Sequence, residues 1–283
     1  MKRFAAIILL VVALVGGCRR LATAGQVPRP RIVSFSPAIT QMLFDMGLGG
    51  HVVGVTSQDA LPAATTRPVV GDAFSVNAEA ILSVRPDVLM IQMNPDRFEA
   101  LRRLDPNIRI EHFTIETLDE AAAAMERIGR IAGDEQAGRD AAASFRAKLE
   151  AVRTSVRGRP RPKVLFITDL QTLGTAGEGT FIDQMIDLAG GINVARKYKG
   201  WVMLTAEGIL LAGPEVIICQ AEAGREEKAA AYWRNLKDTP AVQKGAVHVV
   251  TDRRWTIPSA ALADFAAALA GMIHPELAGS TRP

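Results

Sequence analysis

The sequence predicts an α/β protein made of two similar α/β lobes joined by a single long helix. Three observations lead there. Short β-branched runs alternate with amphipathic helical patterns along most of the chain. A helix-then-strand unit recurs at one offset of 128 residues. A charged helical pattern over 135–156, with apolar residues at helical spacing, separates the two copies. At 283 residues, 48% hydrophobic and 22% charged, the chain can bury the core that two such units need. With only two cysteines, it is not built on disulfides, and its composition excludes a disordered or collagen-like chain.

The first segment reads as an export address. Lys2 and Arg3 precede an apolar run over 4–15, followed by Gly16, Gly17 and Cys18. Val15-Gly16-Gly17-Cys18 resembles the bacterial lipoprotein box, which removes 1–17 and makes Cys18 the lipid-bearing first residue. Ala22-Thr23-Ala24 offers an ordinary signal peptidase site as well, and a cut there removes 1–24 and releases a soluble protein. Both readings place the mature chain in the periplasm or cell envelope. No later stretch reaches the roughly 20 apolar residues of a spanning helix. The formal charge of +3 belongs to this address, since cutting before Cys18 leaves +1 and cutting after Ala24 leaves −1. The basic balance therefore gives no reason to expect nucleic acid as a partner.

The first lobe, 31–134, carries predicted strands at 31–35, 51–56, 87–91 and 109–113, with helices at 39–46 and 118–131. Continuous apolar strands of this kind fit parallel sheets covered on both faces. Ser36-Pro37 reads as an N-cap with proline at the first helical position, its amides able to face a ligand. Asn77-Ala78-Glu79-Ala80-Ile81-Leu82, then Pro86-Asp87-Val88, matches Thr205-Ala206-Glu207-Gly208-Ile209-Leu210, then Pro214-Glu215-Val216. Gln41-Met42-Leu43 with Gly47, and Gln184-Met185-Ile186 with Gly190, recur in the same order. Glu79 and Glu207 thus fall in the first turn of equivalent helices, where an acid complements the helix dipole. Paired acids also suit docking to a partner with paired arginines.

The joining segment, 135–157, is a helix about 33 Å long, stopped by Gly158-Arg159-Pro160. A single helical crossover predicts small opening motions. In the second lobe, 158–276, strands are predicted at 163–168, 215–219 and 247–251, and helices at 181–189 and 259–273. Gly174 to Thr180 follows a strand and opens a helix, the place of a phosphate cradle, although its spacing matches neither a dinucleotide fingerprint nor a P-loop. A turn whose Thr180 caps the next helix is the other reading. Cys219 has no partner after processing and reads as a small core residue. The four histidines, His51, His112, His248 and His274, lack metal-ligand spacing, and no G-x-S-x-G elbow occurs. No resident metal or cofactor and no hydrolase chemistry is expected. Trp201 lies in a polar, loop-like segment six residues before Glu207 and suits an aromatic ligand platform. Arg253, Arg254 and Trp255 follow a strand and suit an anionic ligand.

Ser36-Pro37-Ala38, Val53-Gly54-Val55, Asn77 to Leu82, Arg85-Pro86-Asp87, Thr175-Ala176-Gly177, Ala189-Gly190-Gly191 and His274-Pro275-Glu276 occur in that order. Through them the chain, over roughly 31–276, resembles the iron-complex and cobalamin substrate-binding proteins of ABC importers that have a helical backbone. The resemblance implies a ligand cleft between the lobes, faced by Ser36, Gln58, Phe74, Gln171, Trp201, Arg254 and Trp255. It also implies that Glu79 and Glu207 each dock on one subunit of a permease dimer. Trp201 matches a cleft aromatic of vitamin B12 receptors by its spacing to the docking acid. Gln58, Ala73 and Met93 stand where first-lobe aromatics are expected, with Phe74 adjacent, and neither Tyr198 nor Tyr232 falls at the place of a heme iron ligand. The expected function is capture of an organic metal chelate, a ferric siderophore-type complex first, with cobalamin or heme as the alternative and no enzyme activity. A nucleotide-binding α/β enzyme using the 174–180 loop is the alternative of a different class, and direct zinc or manganese capture lacks converging ligands.

Overall fold

The computed structural model describes residues 29–277, so the export segment and Cys18 lie outside the described residues. Strand β1 (Ile32–Phe35) leads into helix α1 (Pro37–Asp45), strand β2 (Val52–Gly54), helix α2 (Ala78–Ser83) and strand β3 (Val88–Ile91). Helix α3 (Glu99–Leu104) and strand β4 (Arg109–His112) complete a parallel sheet in the order β2-β1-β3-β4. Helices α4 (Leu118–Ala132) and α5 (Glu135–Ser155) follow. The chain continues through β5 (Lys163–Ile167), β6 (Gly174–Ala176), α6 (Phe181–Leu188), β7 (Ile192–Asn193), β8 (Trp201–Met203), α7 (Ala206–Ala212) and β9 (Val216–Gln220). It ends with α8 (Glu226–Arg234), α9 (Pro240–Gln243), β10 (Val247–Val250) and α10 (Leu262–Ile273). The second parallel sheet has the order β7-β5-β9-β10. Read in chain order within each half, both sheets run second, first, third, fourth.

The repeat extends to hydrogen bonds. Before β1, the backbone N–H of Arg31 donates to Asp87 Oδ2 at 2.7 Å, and its guanidinium caps the Val84 and Arg85 carbonyls beyond the end of α2. Before β5, Lys163 N–H donates to Glu215 Oε2 at 3.1 Å, and its ammonium reaches the Ala212 carbonyl ending α7. Cations at helix C-termini offset the exposed carbonyl dipoles. Both first helices close on a left-handed glycine, Gly47 at φ +73° and Gly190 at φ +82°. The second half inserts β6 before its first helix, and the first half has the longer path from first helix to the repeated unit, α1 to α2 against α6 to α7, so the offset of these helices differs from the 128 residues of the later unit.

Each sheet is buried on both faces because its strands alternate between two apolar clusters. Ile32 of β1 and Val164 and Phe166 of β5 face one continuous core, into which Ala142, Phe145, Leu149 and Val152 of α5 project. That core runs through both halves. Val33 and Phe35 face an outer cluster with Ile81 and Phe98, while Leu165 and Ile167 face another with Cys219 and Trp233. The antiparallel pair α4 and α5 comes together at Gly129 and Gly138, where a Cβ on Gly129 would stand 2.7 Å from Gly138 backbone. Helix α5 is thus one turnless span of 21 residues gripped by both lobes. Among the described residues no helix is long and apolar enough to cross a membrane.

Two local expectations change. Gly174 to Ala176 is not loop but strand β6, paired antiparallel with β8, so Trp201 stands on a strand as well. In the 174–180 segment the amides at the middle of the turn are engaged within the fold: Gly177 N–H donates to Gly200 O at 2.8 Å and Glu178 N–H to Tyr198 O at 2.7 Å. Gly177 is required by close packing, since a Cβ there would meet Tyr198 O at 2.2 Å. Thr180 is the cap of α6, accepting from Asp183 N–H. The nucleotide-binding reading loses its structural basis.

Candidate ligand site

In parallel α/β sheets ligands gather beyond the carboxyl ends of strands, at the switch in strand order. Here that switch lies between β1 and β3 in one half and between β5 and β9 in the other.

At the first switch the ends of the strands are closed by polar side chains. Ser36 caps α1, accepting from Ile39 N–H, and its hydroxyl donates to Gln92 Oε1. Thr40 Oγ1 donates to Ser34 Oγ at 2.8 Å, and Ser34 Oγ donates to Ser36 O. Asp59 Oδ2 accepts from the Thr56 N–H and hydroxyl, both at 2.6 Å, and burial holds its carboxyl above the usual range despite these bonds. Ser36 is 2% exposed within this network, so it supports the loops rather than meeting a ligand, a correction to the sequence expectation. The exposed element of this half is the loop 71–76. Asp72 Oδ1 accepts from Phe74 N–H and Ser75 N–H, and Gln58 Oε1 accepts from Ala73 N–H at 3.1 Å. Arg97 donates to the Ala73 and Phe74 carbonyls. Phe74 is left 86% exposed on a loop pinned from three sides. Gln58 therefore acts on Phe74 through the loop.

At the second switch a cavity of about 270 Å³ opens beyond β5 and β9. Its lining includes Thr168, Asp169, Leu170 and Gln171 from the turn after β5, Gln220 and Glu222 after β9, and Arg225 and Lys228 at α8. Arg253 and Thr256 close it. Asp169 shapes the turn, accepting from Gln171 N–H and the Thr172 hydroxyl, and this last bond leads in holding its carboxyl below the usual range. Gln171 is thereby presented to the cavity, whose lining comes from the second half of the chain. Arg254 is not: it points into a fork with Asp252 at 2.7 Å and stacks over Phe265, and its neighbour Arg253 takes the cavity position. Trp255 is 4% exposed, with its ring stacked 4.7 Å from Phe265 and 5.9 Å from Phe166, so it is a core residue and not a ligand platform.

Trp201 connects the halves. It is 46% exposed, its indole N–H donates to Glu116 Oε2 at 3.1 Å, and its ring meets Phe181 edge-on at 5.5 Å. Glu116 precedes α4, where Leu118 N–H also donates across the halves to Gln184 Oε1 at 2.7 Å. This latch escaped sequence reading because its partners are 85 and 66 residues apart. Glu79 and Glu207 lie in the first turns of α2 and α7, behind the caps Asn77 and Thr205. Both side chains are exposed, and neither has an ion-pair partner among the described residues. Each helix leads into a central strand of its own sheet, α2 into β3 and α7 into β9.

Cys219 is buried, and burial pushes its thiol above the usual range, which removes it from reactivity. His51 and His274 are buried, and His51 Nδ1 lies 3.1 Å from Pro30 O. Among the described residues no group of three or more His, Cys, Asp or Glu side chains converges to hold a metal.

The periplasmic binding protein family model matches residues 32–253. The chain is 26% identical over 259 residues to the ABC transporter substrate-binding lipoprotein YvrC of Bacillus subtilis, covering 87% of this chain and 80% of that protein. It is 25% identical over 216 residues to the vitamin B12-binding protein of Salmonella typhimurium, covering 75% and 80%. Among solved structures, the periplasmic heme-binding protein RhuT of Roseiflexus sp. RS-1 superposes with a TM-score of 0.73 at 26% identity, covering 87% of this chain and 98% of that one.

Proposed function

The chain belongs to the periplasmic binding protein family, and from that premise we propose that it is the substrate-binding component of an ABC importer. In this reading it captures an organic metal chelate, a ferric siderophore-type complex, and carries it to a membrane permease dimer. The observation that carries the reading is the pair Glu79 and Glu207: two repeat-related, solvent-facing carboxylates, each just behind the cap of its helix and without an ion-pair partner among the described residues. Opposed arginines on a twofold-related permease are the complement such a pair needs. Residues Phe74, Trp201, Gln58 and Gln171 hold the chelate, and the permease empties the site when ATP drives its change of shape. No covalent step is involved.

A second reading, a corrinoid or heme as cargo, is favoured by two exposed aromatic rings, Phe74 and Trp201, which suit the face of a flat macrocycle. The names of the relatives that bind vitamin B12 or heme support it too. A lipid anchor at Cys18, with the protein held at the outer face of the membrane, accords with the lipoprotein among the relatives.

The test uses Glu79→Ala with Glu207→Ala in cells and on purified protein. We expect unchanged chelate affinity and thermal midpoint, with uptake lost by an order of magnitude or more. Normal uptake by a folded, ligand-loaded double variant would overturn the docking reading.

A further inference from the structure

Asp59 is a carboxyl group that the fold surrounds without a cation. It closes the turn after β2: its backbone N–H donates to Thr56 O at 3.2 Å, and its Oδ2 accepts from the Thr56 N–H and hydroxyl, both at 2.6 Å. The other oxygen, Oδ1, is buried and makes no hydrogen bond. Its neighbour on α1, the Thr40 hydroxyl, has already given its proton to Ser34 Oγ at 2.8 Å. The side chains facing the carboxyl, Thr40 and Thr56, are uncharged, and among the described residues no charged group shifts its titration. Burial therefore outweighs the hydrogen bonds and makes the ionised form costly. A neutral amide of the same shape would avoid that cost, so stability does not account for the acid.

The turn that Asp59 closes grips the loop carrying Phe74. Ser57 N–H donates to Gly71 O at 3.0 Å, and Gln58 Oε1 accepts from Ala73 N–H at 3.1 Å. We infer that Asp59 is a positioning residue for the Phe74 platform: its carboxylate fixes turn 56–59 and, through Gln58, the loop that presents the ring to cargo. The inference rests on the receptor reading above and adds to it a dependence on pH. A proton arriving on the free Oδ1 leaves Oδ2 a neutral acceptor. Bonds to a charged acceptor are roughly twice as strong as neutral ones, so protonation loosens the turn and with it the loop. Stability moves the other way. A carboxyl held above its unfolded range favours the fold while protonated, and that contribution is lost as pH rises through the folded value.

The experiment is amide hydrogen exchange by NMR on the purified wild type, Asp59→Asn and Gln58→Ala, from about pH 8 to about pH 4, corrected for intrinsic exchange rates. In the wild type we expect protection of the Ala73 amide to fall about tenfold as acid protonates Asp59, while amides of β1 and β3 keep theirs. Asp59→Asn should show the weak protection of the acid form at every pH, with a urea midpoint equal to or above that of the wild type. Gln58→Ala should leave Ala73 unprotected throughout. Calorimetry with hemin, cyanocobalamin and ferrioxamine B completes the test, the best-bound probe binding Asp59→Asn about threefold more weakly near neutral pH. Wild-type protection of Ala73 in either variant overturns the inference, as does protection in the wild type that ignores pH. So does a loss shared equally by Ala73, β1 and β3, or unchanged probe affinity in Asp59→Asn. Failure of all three probes to bind the wild type overturns the receptor reading itself.

Discussion

Trp201 is held on two sides, by Glu116 through its indole N–H and by Phe181 through its ring edge, yet nearly half of it remains open to solvent. A residue that served packing alone would be covered, as Trp233 and Trp255 are at 1% and 4% exposure. Under the proposed function Trp201 would have two separable roles, a platform for ligand beside its bond to Glu116 across the halves. Substitutions can part them. Trp201→Ala should weaken chelate binding by about tenfold or more, the loss of one large aromatic contact face. Trp201→Phe keeps a ring and gives up the bond to Glu116, so if the platform dominates it should retain most of the affinity while Glu116→Gln has little effect. Equal losses in Trp201→Phe and Glu116→Gln, read by calorimetry, would assign the residue to the latch instead. The sequence located Trp201 by its distance from Glu207. It could not tell Trp201 from Trp255, or Arg254 from Arg253, because exposure at these positions is decided by α10 and by Asp252, contacts that no local pattern encodes.

At the scale of elements, the antiparallel pair β6 and β8 presents Trp201, and Gly177 decides whether that pair closes. A methyl group on Gly177 would fall 2.2 Å from the Tyr198 carbonyl, a backbone atom that cannot swing away as a side chain would. Gly177→Ala should cost about 1–3 kcal/mol of stability, the usual range for overfilling a tight site. It should also displace β8, so chelate affinity falls together with the urea midpoint. A variant of wild-type stability and affinity would show that the 177–180 turn adapts freely. This strand pair was also the least legible part of the fold. Its strands are three residues each, too short for a period-2 pattern to stand out. The strongly patterned elements were legible: α4, α5 and the seven strands the sequence predicts follow their hydrophobic patterns to within about two residues. The repeat was legible because the same steric and electrostatic problem is solved twice. Arg31 with Asp87, and Lys163 with Glu215, tie the start of a central strand to the end of the helix that leads into its neighbour, α2 before β3 and α7 before β9.

For the molecule as a whole, one continuous core decides how the lobes behave. The inner faces of both sheets share it, and α5 inserts Phe145, 2% exposed, between residues that belong to each half. Two lobes hinged on extended strands can part without disturbing their interiors. Here parting them would open apolar surface along α5, so large movements are unfavourable and the lobes should also unfold together. The three tryptophans all lie in the second half, at 201, 233 and 255. Fluorescence of Trp233 and Trp255, isolated in a Trp201→Phe background because Trp201 touches Glu116 of the first half, therefore follows the second half, while amide exchange on β1 and β3 follows the other. In that background both should report one unfolding free energy in urea. Phe145→Ala should lower it by about 3–5 kcal/mol, as expected for emptying a buried aromatic site, and by the same amount at both probes. Were the second-half signal to shift while exchange on β1 and β3 stayed where it was, α5 would be a tether between independent lobes. The small opening motions inferred from a single helical crossover would then have lost their physical cause.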